Sequence, residues 1–530
     1  MNKLLFTFIL FAGLLGFTKA QVPVSEEARF ECTTITVGKK ASDDGSVRTS
    51  HTDDSHRTRS NIYVTPAKEH KAGTTVTMYK RTPCDTTKMR SYLNTPIGEI
   101  SQVSSTYGYL NSAYPCLNEK QLAIGESTFG GRAELESDNG LIDCQRLCQL
   151  MLERCSTARD AIRTAGELLK EYGWIDAGEC LTIADKKEVW HLEIVGEGKG
   201  KRGAVWAAQR VPDEHIAVNA NASTIRWIDT LDKDHFMYSD NVFSVAIENG
   251  WWNPEPGRPF EFCYAYAPAT RVHMACRRRE WRVYDLLAPS LKLDPNSENY
   301  PFSVKPDKLV SLEDMVRVFQ DYYEGTPYDM RKTLTVADDS GKVAISPFAN
   351  PFMHPDEMKM HRINGGWNQF GERAIAVRFT MYATILQCRD WLPDEIGGVC
   401  WYALDNPASS IYVPIYSGVT DLPSQYKTDG RVTGFSKDAA WWAFNRVGIL
   451  ASRRWGNSRT DVEAVWKPFQ KEMFDKQKEI EAEALKLYNP KNPKKTKEFL
   501  TKYTDDRANE ALKKAWNLGD DLWTKYEGMW

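Results

Sequence analysis

The chain has 530 residues, 42% hydrophobic and 26% charged, so it can bury a large core and reads as a globular protein. Lys plus Arg (68) nearly balances Asp plus Glu (71). The resulting net charge of −3 provides no field that would draw nucleic acid or an anionic membrane.

The first twenty residues combine Lys3, an apolar run from Leu4 to Phe17, and small side chains at Thr18 and Ala20 before Gln21. This is the layout of a cleaved secretory signal, too short for a membrane span. Residues 1–20 are therefore expected to be a signal peptide, and the product to be exported to the periplasm or the extracellular space. Cys32 follows Arg29, Phe30 and Glu31, not the small apolar residues an acylated lipoprotein cysteine requires. Residues 21–31 read as a short propeptide, expected to be removed by attack of Cys32 on its own preceding peptide bond. No later segment reaches the roughly 18 uninterrupted apolar residues of a spanning helix. Eleven cysteines in an exported chain are compatible with disulfides, with one left over.

Residues 32–37 alternate with period two, placing Thr33, Ile35 and Val37 on one strand face and Cys32, Thr34 and Thr36 on the other. Asp43, Asp44 and Gly45 supply turn chemistry, and a return strand is expected from Ser46. A turn centred between Asp43 and Asp44 sets Cys32 opposite the region of Ser55, bringing His51, Asp53 and Asp54 beside the thiol. Further strands are expected at 75–79, 121–127, 181–184, 189–195, 203–210 and 215–220, spaced for antiparallel pairing. Helical periodicity covers 141–172 and 312–323. In the first run, Cys144, Cys148 and Cys155 read as small residues of a buried helix face, since a zinc site would need a fourth ligand and a turn. Strand character returns at 373–386, 398–403 and 410–414. From about residue 461 the tail is charged and helical, read as a solvated appendage. This order of elements predicts an α+β layered domain.

A thiol at a strand start, close to an imidazole and carboxylates, is a candidate nucleophile. Exposed as a new N-terminus, it would carry its own base, because an α-amine of pKa near 8 can take the thiol proton. Asp54 would then hold that amine, and a pair of donors would stabilise the oxyanion. The segment GESTFGGR can bend over a substrate, with Glu126 placed to meet a dipeptide's ammonium group. His51, Asp53, Asp54 and His56 also cluster hard and imidazole ligands, but the nucleophile chemistry uses the same residues without a metal, and no metal or cofactor is expected. The paired tryptophans Trp251, Trp252, Trp441 and Trp442 read as packing residues.

These blocks carry a resemblance. CTTITVGKKASDDGS followed by SHTDDS, LNEKQLAIGESTFGGR, WHLEIVGEG and AAQRVPDEHIAVNAN are similar to the dipeptidase A family of cysteine N-terminal-nucleophile (Ntn) hydrolases. ENGWWNP, LLAPSL, GERAIAVRFT, WLPDEIGGVCWYALDNPASSIYVPIYSGVTDLP and FSKDAAWWAFNRV extend the likeness to Val447. The resemblance implies a four-layer αββα sandwich of two antiparallel sheets over residues 32–455, a C-terminal helical extension over 456–530, and cleavage of dipeptides by an N-terminal cysteine. Residue by residue, it implies Cys32 as nucleophile, Asp54 as support for the amine, and Asn221 as part of the oxyanion hole. His51 stands where many relatives have arginine, which exchanges a permanent charge for a titrating one. Thr128 stands where bile-salt-hydrolase-like relatives have an asparagine, and a backbone N–H near Ser127 to Gly130 is the other candidate donor. An arginine of the nucleophile's surroundings is matched by Arg279 or Arg282. The expected partners are dipeptide substrates, and a homo-oligomer is compatible with the sequence. Two other functions fit it: an Ntn amidase or acylase acting on bile-salt-like or penicillin-like amides, and a non-catalytic exported protein whose aromatic surface binds peptide or glycan.

Overall fold

The alternating run at Cys32 forms the strand Cys32–Val37, which pairs antiparallel with Val47–Asp54. In the computed structural model the described residues are 32–85, 90–337, 339–353 and 373–529; the expected signal peptide and propeptide lie outside them. The observed register sets Cys32 opposite Asp53 and Thr33 opposite Thr52, two residues short of the expected partner near Ser55. The cause is the connection. After Val37 the chain turns away to pair with another loop, Gly38 N donating to His215 O and Lys40 N to Asp213 O. The far end is then tied by Asp44, which accepts from Ser46 N at 2.9 Å and from Arg48 Nη2 at 2.7 Å. A two-residue offset preserves strand parity, so Cys32, His51 and Asp53 still share a face.

Seven strands form one sheet, in the order Ser303–Val304, Ile216–Asn219, Cys32–Val37, Val47–Asp54, Thr380–Cys388, Val399–Leu404 and Val413–Tyr416. Eight form a second, which runs from Phe236–Tyr238 through Val205–Val211, Val189–Val195, Gly178–Ala184 and Ala123–Gly130 to three short strands ending at Tyr63–Thr65. All neighbouring pairs in both sheets are antiparallel. The sheets stack with Ala123–Gly130 against the two strands of the Cys32 hairpin. At the contact a Cβ on Gly125 would lie 2.2 Å from Ser50 O, so only glycine permits this approach.

Helices cover the sheets. Cys144–Arg154 and Ala158–Tyr172 share a core with Leu181, Ile183, Trp190 and Leu192 of the eight-stranded sheet. The single helical run expected over 141–172 is thus two helices, divided where Thr157 caps the second by accepting from Asp160 N. Cys144, Cys148 and Cys155 are buried as expected, and none of the eleven cysteines is in a disulfide.

The tail differs from its expected solvated state. Trp441–Arg453, Trp455–Leu487 and Lys494–Lys525 pack against Val399–Leu404 and Val413–Tyr416, and Trp466, Phe469, Met473, Leu500 and Leu518 join the main core. The charged residues that dominate the tail's composition occupy the opposite faces, which is how an amphipathic helix mimics a soluble one in sequence. Among the described residues no helix is long and apolar enough to cross a membrane.

Trp466 is 4% exposed, and its indole N–H donates to Ser409 O at 2.9 Å. Trp466→Ala is therefore expected to destabilise the protein by about 3–5 kcal/mol, read from urea denaturation. A change within about 0.5 kcal/mol, the usual size for exposed substitutions, would return the tail to the status of an appendage.

Candidate active site

Three atoms of Cys32 are engaged by three separate elements. Its Sγ lies 3.2 Å from Glu126 Oε1, its N–H donates to Asn221 Oδ1 at 3.2 Å, and its carbonyl accepts from Arg279 Nη1 at 2.6 Å. Glu126 belongs to Ala123–Gly130, Asn221 follows Ile216–Asn219, and Arg279 comes from the helix Met274–Leu287. Asn221 adopts φ of 59°, a left-handed conformation that asparagine tolerates better than most residues. Its Oδ1 also accepts from Arg279 Nη2 at 2.7 Å, and its Nδ2 donates to Thr128 O at 2.6 Å.

Of the two arginines that the sequence left open, the structure brings Arg279 to Cys32. Its guanidinium also donates to Thr33 Oγ1 and Ala220 O. Burial and the neighbouring Arg373 lower its pKa to about 10, so it remains a cation at neutral pH. Arg282 instead donates to Asp321 at 2.9 and 2.7 Å and to Asp285 at 2.7 Å.

His51 is buried between Tyr114 and Tyr382, whose rings meet it edge to face at centroid distances of 5.5 and 5.6 Å. Its Nε2 approaches Glu126 Oε1 at 3.2 Å but out of line for a hydrogen bond, so the contact is ionic rather than directional. Burial opposes charge on this imidazole, yet Glu126, Asp53 and Asp54 outweigh it and raise its pKa. Beyond Glu126 lies Glu179, whose carboxyl pKa is pushed well above the ordinary range by burial and by the neighbouring Glu126. Thr128 turns its hydroxyl to Glu179 Oε1 at 2.6 Å.

Asp54 is buried and held by Arg373 Nη2 and Thr380 Oγ1, each at 2.6 Å, and by Thr52 Oγ1 at 3.0 Å. Asp53, the cross-strand partner of Cys32, accepts from Thr58 Oγ1 at 2.6 Å. Burial pushes its pKa up to about 7. The fourth residue of the imagined metal cluster does not join it. His56 packs on Phe379, and burial together with Arg378, Arg431, Arg90 and Arg57 lowers its pKa to about 4. The His–Cys–carboxylate groupings that do form are Cys32 with His51 and Glu126, and Cys144 with Glu126 and Glu179.

Arg373, Glu179, Tyr114 and Tyr382 were not singled out from the sequence. Arg373 lies in the block GERAIAVRFT and so had a signal; Tyr382 arrives through pairing of its strand with Val47–Asp54 in the same sheet, and Glu179 and Tyr114 come from outside that sheet. Together these residues surround a thiol with a carboxylate acceptor, a carbonyl-binding guanidinium and an asparagine amide. Acyl transfer needs such a set: a nucleophile, a proton acceptor and fixed dipoles.

Residues 31–468 match peptidase family C69. The chain is 27% identical to a probable dipeptidase of Latilactobacillus sakei over 80% of this chain and 82% of the relative. It is 25% identical to a probable dipeptidase B of Lactococcus lactis subsp. lactis, over 76% and 78%. It is 24% identical to dipeptidase A of Lactobacillus helveticus, over 78% and 80%.

The Asp53 shift makes stability depend on pH. Because its folded pKa is raised, the cost of ionising it in place is absent below the ordinary aspartate value of 3.8, grows as pH rises, and is complete above about 7. Asp53→Asn removes that cost, so its stability relative to the parent is expected to rise between pH 3.8 and about 7 and to level off above that, measured as urea midpoints. A difference that does not change with pH would show that Asp53 does not titrate in this window.

Proposed function

We propose, from the premise that the chain belongs to peptidase family C69, that it is an exported cysteine dipeptidase whose nucleophile is Cys32 acting as the N-terminal residue. The observation that carries this reading is the capture of the Cys32 nitrogen, carbonyl and sulfur by Asn221, Arg279 and Glu126. Dipeptides enter the proposal through the names of the relatives. Export enters through the signal-like character of residues 1–20. Two stacked antiparallel sheets with helices packed on each support the αββα Ntn arrangement, with residues 32–455 as the catalytic unit and the helices of 456–530 completing it.

In this reading, removal of residues 1–31 frees the α-amine of Cys32, which takes the thiol proton. The thiolate attacks the dipeptide carbonyl. Asn221 and a backbone N–H near Thr128 receive the developing oxyanion, which requires the Asn221 amide to leave Thr128 O. Arg279 fixes the Cys32 carbonyl, and with it the direction from which the sulfur approaches. Asp54, one residue beyond the cross-strand partner of Cys32, supports the new ammonium group. Water then releases the acyl group.

N-terminal sequencing of the mature protein is expected to begin at Cys32. Cys32→Ala is expected to lower dipeptide kcat/KM by more than about a thousandfold; activity near that of the parent would exclude Cys32 as nucleophile. Because the pKa of His51 is raised, its positive charge is present below that pKa and lost as pH rises through it. Turnover is expected to fall along that alkaline limb, and His51→Arg is expected to extend the plateau. Coincident pH profiles would show that the charge of His51 has no part in turnover.

A further inference from the structure

The amine that serves as base in the reading above does not exist before the leader is removed. In the uncut chain the Cys32 nitrogen is an amide, and its N–H donates to Asn221 Oδ1. Its lone pair is delocalised into the amide carbonyl and does not take a proton near neutral pH. The first acyl transfer this protein performs therefore needs another acceptor, close to Sγ and ionised.

Among the described residues, the carboxylate in contact with Sγ is Glu126, at 3.2 Å. The other nearby acids are occupied elsewhere, Asp54 by Arg373, Thr380 and Thr52, and Asp53 by Thr58. Glu126 is fully buried, where an isolated carboxylate would not stay charged. Two neighbours bear on it: His51 Nε2 lies 3.2 Å from the same oxygen, and burial together with Glu126 pushes the pKa of the adjacent Glu179 well above the ordinary range. Glu126 and Glu179 lie side by side, with carboxyl oxygens within 4.8 Å of each other.

We propose that Glu126, supported by His51, is the base that activates Cys32 in the uncut chain and so drives removal of the leader, a step distinct from the amine-assisted turnover of the mature enzyme. This rests on the N-terminal-cysteine reading given above. The thiol proton passes to the Glu126 carboxylate, and the thiolate adds to the carbonyl carbon of Glu31. The Glu31–Cys32 C–N bond then breaks as the proton returns to the departing nitrogen, which becomes the α-amine of Cys32. The resulting thioester is hydrolysed by water, releasing the leader with a carboxylate at Glu31 and restoring the thiol. No oxidant or other co-reactant is consumed.

The test compares two ways of exposing Cys32 in the full-length chain. In one the natural leader is kept and its release is followed by intact mass. In the other the residues just before Cys32 are replaced by the recognition sequence of a site-specific protease, so that the folded protein is cut in vitro and assayed on a dipeptide. Glu126→Gln is expected to slow spontaneous leader release by about 100-fold or more, while costing turnover of the protease-cut protein at least tenfold less than that. Glu126→Asp, which keeps the charge but draws it back from the sulfur, is expected to release the leader faster than Glu126→Gln. Leader release by Glu126→Gln at the parent's rate overturns the proposal. So does an equal loss in both assays, or a protease-cut variant that is wholly inactive. A parent that, once cut by the protease, fails to hydrolyse dipeptides would instead remove the dipeptidase reading, because leader release is scored without substrate.

Discussion

The contact between the two sheets at Gly125 governs the rest of the site. Stacked sheets ordinarily lie about 10 Å apart, with side chains filling the space between them. Here the missing side chain lets the backbone of Ala123–Gly130 approach Ser50 O, and the neighbouring Thr49 and Thr182 hydroxyls meet at 2.6 Å across the interface. Glu126 is the next residue along, so the closeness secured by Gly125 brings its short side chain within reach of both Cys32 and His51. An alanine at 125 would force the sheets apart where the thiol contact depends on their separation.

Such an approach places polar groups where a sandwich normally has apolar ones. Every residue of Val47–Asp54 is buried, and the strand contains Arg48, His51, Asp53 and Asp54. Burying these groups singly would be prohibitive, so three are paired with opposite charges while Asp53 accepts from Thr58 Oγ1. Arg48 meets Asp43 and Asp44, Asp54 meets Arg373, and His51 meets Glu126. Arg279, without a carboxylate partner of its own, is satisfied by carbonyl, hydroxyl and amide oxygens at the Cys32 end. Removing one member leaves its partner buried and uncompensated. The network is therefore rigid, and it fixes the geometry around the sulfur.

Local pattern reached the strands that this network joins but not the contacts between them. The alternation at Cys32 and the turn residues after it predicted a hairpin with His51, Asp53 and Asp54 beside the thiol; the hairpin is observed, and strand parity puts His51 and Asp53, but not Asp54, on the face of Cys32. The register was two residues off, because the connection after Val37 pairs with a loop around Pro212 that no local signal reveals. The helix Met274–Leu287 was not assigned at all, since Arg277, Arg278, Arg279 and Arg282 make it look exposed although all four are buried. Arg279 and Arg282 were told apart only when the structure showed which one had an aspartate of its own. Glu126 was expected to face a substrate ammonium group, and the structure places it against the thiol. That contact depends on the stacking of two sheets, which is beyond the reach of any strand pattern.

His51 supplies this network with a titrating charge where an arginine would supply a permanent one. A guanidinium beside Glu126 would be permanently charged and would form a bidentate pair, fixing both carboxylate oxygens and lowering their tendency to accept a proton. The imidazole, wedged between Tyr114 and Tyr382, offers one nitrogen out of line with Oε1. It supplies charge without holding the carboxylate in a directed bond, and Oε1 stays shared with Sγ. A histidine here therefore makes the charge beside the thiol conditional on pH.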